Sequence, residues 1–350
     1  MRAVRIHAVR GMPAVVDVAE PVAPEGGVVV DVRATGVCRS DWHAWAGHDE
    51  IAFPHVPGHE LAGVVSEVGL GVTRFRVGDR VTVPFVCGCG VCEWCRAGDA
   101  QVCPDQQQPG FTHWGSFAER VALHAADTNL VALPDTVSFE AAAALGCRFA
   151  TAFRALTARA RVATGEWVTV VGAGGVGLSV VMIAVALGAR VIAIDTNTRA
   201  LEVASRLGAA HVVVTGPDGP PVPDVVHDLT GGGSHVAIDA VGSAKTAADA
   251  VLSLRRRGRH VQVGLLPTDD GFSPLPMARA IAWELDILGS HGMAAGDYPA
   301  MMELVASERL HPHDLIERVI GLDEASALLP RFDSAAPAGM TMIDPRRGLP

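Results

Sequence analysis

Apolar and polar positions fall into two textures along the chain. From Trp167 onward, short apolar runs alternate with helical stretches. WVTVV (Trp167–Val171) reads as a strand buried on both faces, and a small-residue helix follows it. VIAID (Val191–Asp195), a helix through Leu201–Leu207 and HVVV (His211–Val214) come next. HVAIDAVG from His235, a helix near Ala247–Leu254 and HVQVGLL from His260 complete the series. Strands alternating with helices of roughly ten residues predict a parallel sheet with helices on both faces. Residues 1 to about 135 read instead as short strands and turns, with strand runs at Val28–Val32, Leu61–Val68 and Arg80–Val83. Alanine-rich Ser138–Ala144 and Phe149–Ala160 read as helices, and the last 60 residues return to mixed texture. The plan is a β-rich domain of residues 1–147 and 289–350, interrupted by an α/β domain of residues 148–288.

A chain of 350 residues fits two domains. With 49% hydrophobic and 19% charged residues it can bury large cores, which excludes a mainly disordered protein. The net charge of −10 argues against a nucleic-acid partner, because such binders carry a basic stripe. The run Arg255–Arg257 with Arg259 does not change this; it is expected at a helix C-terminus, where cations complement the dipole. No apolar core follows the charges of the N-terminus, so no secretory signal is expected. Trp167–Ala189 is uncharged and long enough to span a membrane, but it breaks at GAGGVG and reads as strand, turn and helix. The expectation is a cytoplasmic protein with no membrane partner.

Gly172-Ala173-Gly174-Gly175-Val176-Gly177 fits the pattern G-x-G-x-x-G between a strand and a helix. In that setting the first glycine makes the turn, the second admits a pyrophosphate and the third lets helix pack on strand. Asp195 ends the next strand, 18 residues after Gly177. A carboxylate there binds a ribose diol and opposes a 2′-phosphate, so NAD is expected over NADP, although Arg199 lies close by.

Five of the seven cysteines lie between residues 87 and 103, which favours metal over disulfides in a reducing compartment. Cys89, Cys92, Cys95 and Cys103 are spaced by three, three and eight. Four thiolates fill a tetrahedral zinc and leave no open position, so the implied role is structural. Cys87 is left over. His55 and His59 are separated by Pro57, and His311 and His313 flank Pro312; neither spacing reads as a helical metal pair.

GHELAG (Gly58–Gly63) with Gly69, GVCRSD from Gly36, GDRV (Gly78–Val81), the four-cysteine loop, LGCRFAT (Leu145–Thr151) and GAGGVG occur in one order. On these motifs the chain resembles the zinc-containing alcohol dehydrogenases of the medium-chain dehydrogenase/reductase superfamily, over nearly its whole length. The resemblance implies an α/β fold: a β-rich GroES-like catalytic domain and a Rossmann doubly wound parallel-sheet coenzyme domain. It implies two zinc ions per chain, NAD, a small alcohol, aldehyde or ketone as substrate, and a homodimer or homotetramer. It assigns Cys38, His59 and Cys147 to a catalytic zinc, with Glu60 as an adjoining or alternate ligand. Ser40 becomes the hydroxyl beside the reacting oxygen, and His43 the outer end of a proton relay through the nicotinamide ribose. Arg39 would contact cofactor phosphate and Thr151 would pack by the nicotinamide. Trp42, Trp45, Phe85, Phe111 and Trp114 come from segments that line the substrate channel in relatives; their apolar character favours a hydrophobic alcohol. One departure stands out. Relatives often carry a basic residue where this chain reads Ala338-Gly339-Met340, so one cofactor contact is expected to be absent. The alternatives are a zinc-dependent polyol or related dehydrogenase, and a dinucleotide-binding protein without catalysis.

Overall fold

The computed structural model describes residues 1–216, 219–266, 272–333 and 338–348. It divides into two compact units, Met1–Ala150 with Gly292–Pro350, and Thr151–His291.

In the first unit, β-branched residues favour extended backbone, and the strand expected at Val28–Val32 continues to Val37. It pairs antiparallel with Glu60–Val68, with Gly36 opposite Glu60 and Thr35 opposite Leu61. This register matters for chemistry. It sets Cys38, one residue past the end of one strand, near His59, one residue before the start of the other. Among the described residues the sheet runs in the order Ile316–Ile320, Met340–Ile343, Val28–Val37, Glu60–Val68, Arg80–Thr82 and Val131–Ala132, with Arg120–Leu123 also paired to Val28–Val37. Val28, Val30, Val32, Leu61, Val65, Val81, Val83 and Leu123 point into one core. Full burial of such side chains stabilises by about 1.5–3 kcal/mol each, so the frame under the strand ends is stiff.

The second unit is a parallel sheet in the order His211–Val214, Arg190–Asp195, Trp167–Val171, Ser234–Asp239, Leu254–Gln262, Asp286–Gly289. The chain moves outward in one direction, returns to the middle and moves out the other way. The reversal lies between Trp167–Val171 and Ser234–Asp239, and in doubly wound sheets ligands bind at that crevice.

Two expectations need correction. Arg255–Arg257 do not cap a helix. The helix Ala244–Leu252 ends before them, and they lie in the strand Leu254–Gln262. Its pairing with Ser234–Asp239 jumps from Ser234↔Leu254 to Val236↔Arg259, so the arginines bulge outward into solvent. There Arg257 pairs with Glu284 at 2.9 Å and Arg256 lies over the Trp283 ring. Phe149–Ala160 is not one regular helix either: α-helical Ala150–Arg154 is flanked by π-helical turns at Leu145–Phe149 and Ala155–Arg159. Among the described residues, no helix is long and apolar enough to cross a membrane.

Candidate active site

Cys38 caps the helix Arg39–Ala46, and its backbone N–H donates to Asp41 Oδ2 at 2.8 Å. The other oxygen of Asp41 accepts the Gly58 N–H at 3.1 Å and lies 3.0 Å from His59 Nδ1. Asp41 and His59 are fully buried. The carboxylate therefore fixes the ring with Nδ1 as donor and leaves a lone pair on Nε2. That Nε2 is buried without a hydrogen-bond partner. Cys147 arrives from the π-helical turn Leu145–Phe149, an irregularity frequent at functional sites. The Tyr298 hydroxyl donates to the Leu145 carbonyl at 3.2 Å and steadies that turn.

One ligand atom each from Cys38, His59, Glu60 and Cys147 falls within 4.8 Å of the others. Glu60 is already engaged: one oxygen accepts the Arg148 backbone N–H at 3.1 Å and Nε at 2.9 Å, and the other accepts Nη2. Gly36 makes room for it, since a Cβ there would meet Glu60 Oε2 at 2.2 Å. Two sulfurs and an orphaned imidazole nitrogen backed by a carboxylate are the donor set of a catalytic zinc, and they fit that metal. The charges agree. The hydrogen bond between the two thiols holds Cys38 well below its ordinary value and pushes Cys147 up. Burial opposes charge on His59, but Asp41 and Cys38 outweigh it and raise its pKa. Burial raises Glu60 against the pull of Arg148.

Ser40 Oγ lies 3.8 Å from Cys38 Sγ. His43 is three residues further on the same helix, half-buried, with its Nδ1 2.8 Å from Nδ1 of His48. The rings of Phe111 and Phe85 stand 5.2 and 6.1 Å from the His59 ring. The other expected channel residues stand elsewhere. Trp45 is a core residue whose Nε1 donates to Gly11, Trp42 packs on two apolar clusters, and Trp114 is at the surface, bonded to the Pro54 carbonyl. Arg39 pairs with Asp333 at 2.8 Å, and Thr151 is buried at the start of the second unit.

Cys89, Cys92, Cys95 and Cys103 converge within 4.8 Å. Backbone N–H groups of Cys95 and Cys89 donate to the sulfurs of Cys92 and Cys103, each at 3.4 Å. The short helix inside this loop, Glu93–Arg96, buries no residue, so a metal at the four thiolates would supply much of the loop's order. Asn129 clamps its base through both the N–H and the carbonyl of Gly88. Cys87 is outside the cluster, packed in the core, with burial raising its thiol to about 12.

The glycine turn opens the helix Gly175–Ala186 at the sheet's reversal point. Gly172 has φ +95°, a turn conformation that glycine adopts without strain. A Cβ on Gly177 would meet the Gly172 carbonyl at 1.7 Å, so helix and turn touch only because it has none. A Cβ on Gly174 would meet nothing within 4 Å. That open backbone at a helix N-terminus suits an approaching phosphate. Asp195 accepts N–H bonds from Ala173 and, at 2.8 Å, Asn197, one on each oxygen. Each oxygen keeps a lone pair for a diol, so these residues fit a dinucleotide.

The sequence reading missed Asp41, Arg148 and Tyr298. Asp41 carried a signal, standing three residues after Cys38 where a capping side chain reaches back. The other two are joined to the site by contacts across the sequence that no local pattern reveals.

Residues 24–135 match the alcohol dehydrogenase GroES-like domain family, and residues 175–307 the zinc-binding dehydrogenase family. An alcohol dehydrogenase of Geobacillus stearothermophilus is 37% identical over 78% of this chain and 80% of its own. The alcohol dehydrogenase TADH from Thermus sp. ATN1 superposes with a TM-score of 0.90 at 30% identity, covering 98% of this chain and 99% of that one. A solved NAD-dependent alcohol dehydrogenase gives a TM-score of 0.88 at 30% identity, covering 98% and 99%. The likeness runs through both units, and the chain belongs to the zinc-containing alcohol dehydrogenases of the medium-chain dehydrogenase/reductase superfamily.

Proposed function

We propose that this chain oxidises small hydrophobic primary or secondary alcohols to aldehydes or ketones, reversibly, at a site built on Cys38, His59 and Cys147. The observation that carries the reading is the buried, unpartnered Nε2 of His59 within reach of two cysteine sulfurs. Zinc held there supplies Lewis acidity toward an alcohol or carbonyl oxygen. NAD supplies the hydride acceptor.

The protein's own part is proton handling, orientation and exclusion of water. Ser40 takes the alcohol proton through its hydroxyl oxygen and gives up its own outward, toward His43. The His43 imidazole suits this task because burial, then the charge of His48, lower its pKa and keep it neutral and ready to accept at working pH. Glu60 stays paired with Arg148, so it balances the site's charge. Phe85 and Phe111 flank His59 and favour an apolar substrate. Asp195 orients the adenosine ribose, and Gly172, Gly174, Gly175, Val176 and Gly177 form the pyrophosphate turn. Arg39 meets a cofactor phosphate in exchange for Asp333. A second zinc on Cys89, Cys92, Cys95 and Cys103 holds the exposed loop. Cytoplasmic location and homo-oligomeric assembly belong to the same proposal. They are supported by seven cysteines free of disulfides and by exposed Leu265, Met277 and Ile281.

The test is NAD reduction by the zinc-loaded protein on a panel of linear primary alcohols, secondary alcohols and polyols. We expect the highest kcat/KM with an apolar alcohol. A clear preference for polyols would overturn the substrate class, and no turnover on any of them would overturn the function.

A further inference from the structure

We infer that His48 is a second proton carrier, paired with His43, and that the two imidazoles pass the alcohol's proton to water as one unit. This rests on the reading of His43 as a relay group and extends it by one residue. Their Nδ1 atoms stand 2.8 Å apart, a hydrogen-bond distance. Two imidazole nitrogens at that separation need one proton between them: two N–H groups would clash, and two lone pairs would repel. The contact therefore forces complementary tautomers, with one Nδ1 donating and the other accepting.

The pair has a built frame. The helix Arg39–Ala46 ends at Gly47 with φ +84°, and the chain reverses so that the His48 N–H donates to the His43 carbonyl at 2.9 Å. Trp42 stands edge-on to both rings, with centroids 5.1 and 5.4 Å away. A Cβ at Gly47 would strike Val9 Cγ1 at 2.6 Å, which holds this reversal against the unit's N-terminal segment. His43 is half-buried while His48 is exposed, so the pair leads from interior to solvent.

The proton balance closes. His43 receives the substrate-derived proton on Nε2. Its Nδ1–H bond breaks as the Nδ1–H bond of His48 forms. His48, now cationic, releases the proton on its own Nε2 to water. One proton has entered, one has left, and both rings are neutral. The tautomers left behind are those that carry a proton inward, which is what carbonyl reduction requires. The starting arrangement returns when His48 takes a proton from water on Nε2, hands its Nδ1 proton back to His43, and half-buried His43 releases its Nε2 proton to water.

The charges that act on His43, besides His48, are Arg39 on the same helix, itself engaged by Asp333, Cys38 at the helix start, and Asp49 beyond His48. Asp49 favours protonation of His43, while Arg39 and a charged His48 disfavour it. A proton that reaches His43 is therefore repelled by Arg39 and has His48 as its acceptor.

The test uses His48→Gln, whose amide oxygen can still accept the His43 Nδ1–H but which cannot carry a proton. Single-turnover alcohol oxidation by the zinc-loaded enzyme is followed from pH 5.5 to 9.5, beside His43→Gln and the double variant. We expect His48→Gln to slow proton-limited turnover below pH 7 by about three- to tenfold, with little change above pH 9. Imidazole buffer should restore the rate, which a merely structural lesion would not allow. The double variant should lose no more than the worse single variant, because the two act in series. Nitrogen-15 NMR of the histidine rings, without cofactor, should show His43 titrating in two coupled steps in the parent and in one step in His48→Gln. If His43→Gln slows and His48→Gln matches the parent at every pH, the pairing is wrong and the relay stands. If neither variant changes the profile, the His43 relay itself fails and the pair with it.

Discussion

At the residue scale, Asp41 fixes the His59 ring. The carboxylate selects the tautomer and ring orientation that leave Nε2 free for metal. Asp41→Asn keeps the shape but has an amide where an anion was. Loss of such an outer partner typically costs 10–100-fold in metal affinity. Zinc titration against a competing chelator should show a loss of about that size, with the structural zinc unchanged. Unaltered affinity would mean that His59 is held by packing alone. Another histidine makes a pH prediction. Burial, then His124, depresses His113 to about 4, against a hydrogen bond to the Trp114 carbonyl. In the unfolded chain an imidazole titrates near 6.5, so between these values the unfolded state binds more protons. The stability tied to His113 is therefore full above about pH 6.5 and is lost as pH falls toward 4. Melting curves should show His113→Gln losing less Tm than the parent over that interval; parallel losses would refute the assignment. Much at this scale was legible from the sequence, because metal ligands and turn glycines are residue types with few other uses together. Asp41 stood at a capping distance from Cys38, but Arg148 and Tyr298 had no local signal, since an arginine or a tyrosine gains its role only from what it touches.

At the scale of elements, strand register does the positioning. Gly36 opposite Glu60 brings two distant motifs to one edge, and the π-helical turn at Leu145–Phe149 delivers the third. Strand positions followed from β-branched runs, but the extension to Val37 and the π turns are set by tertiary packing and gave no periodic signal. The arginine bulge was misread for the same reason. A helix end and a strand start lie two residues apart there, and local charge cannot separate them. The glycine turn offers a sharper trial, because its glycines face different neighbours. Gly177→Ala must push helix off turn, and overpacking of this kind costs about 1–3 kcal/mol. Gly174→Ala meets open space and ordinary backbone, with φ −75°. Thermal melts and NADH titration of both should separate them. Gly174→Ala keeps its Tm and loses cofactor affinity, while Gly177→Ala loses both. Equal affinity in Gly174→Ala and the parent would remove the pyrophosphate from this turn.

At the scale of the whole molecule, two candidate metal sets of different character lie in the first unit. The four-cysteine loop is partly exposed, supplies four thiols and is separate from the second set. The Cys38, His59, Cys147 set lies in the interior and offers three ligands, one fewer than a tetrahedral zinc takes. The two-unit plan was legible in the change of texture near Trp167, since a parallel α/β sheet imposes a periodicity that a β-rich unit lacks. The substrate was not, because aromatic side chains look alike in sequence whether they line a channel or fill a core, as Trp45 does. The proposed division of labour between the two metal sets is tested most directly by zinc content measured beside NAD reduction in Cys147→Ala. The parent should hold two zinc ions per chain and Cys147→Ala one, folded and without turnover. A Cys147→Ala protein that kept both ions and still oxidised alcohols would contradict the account.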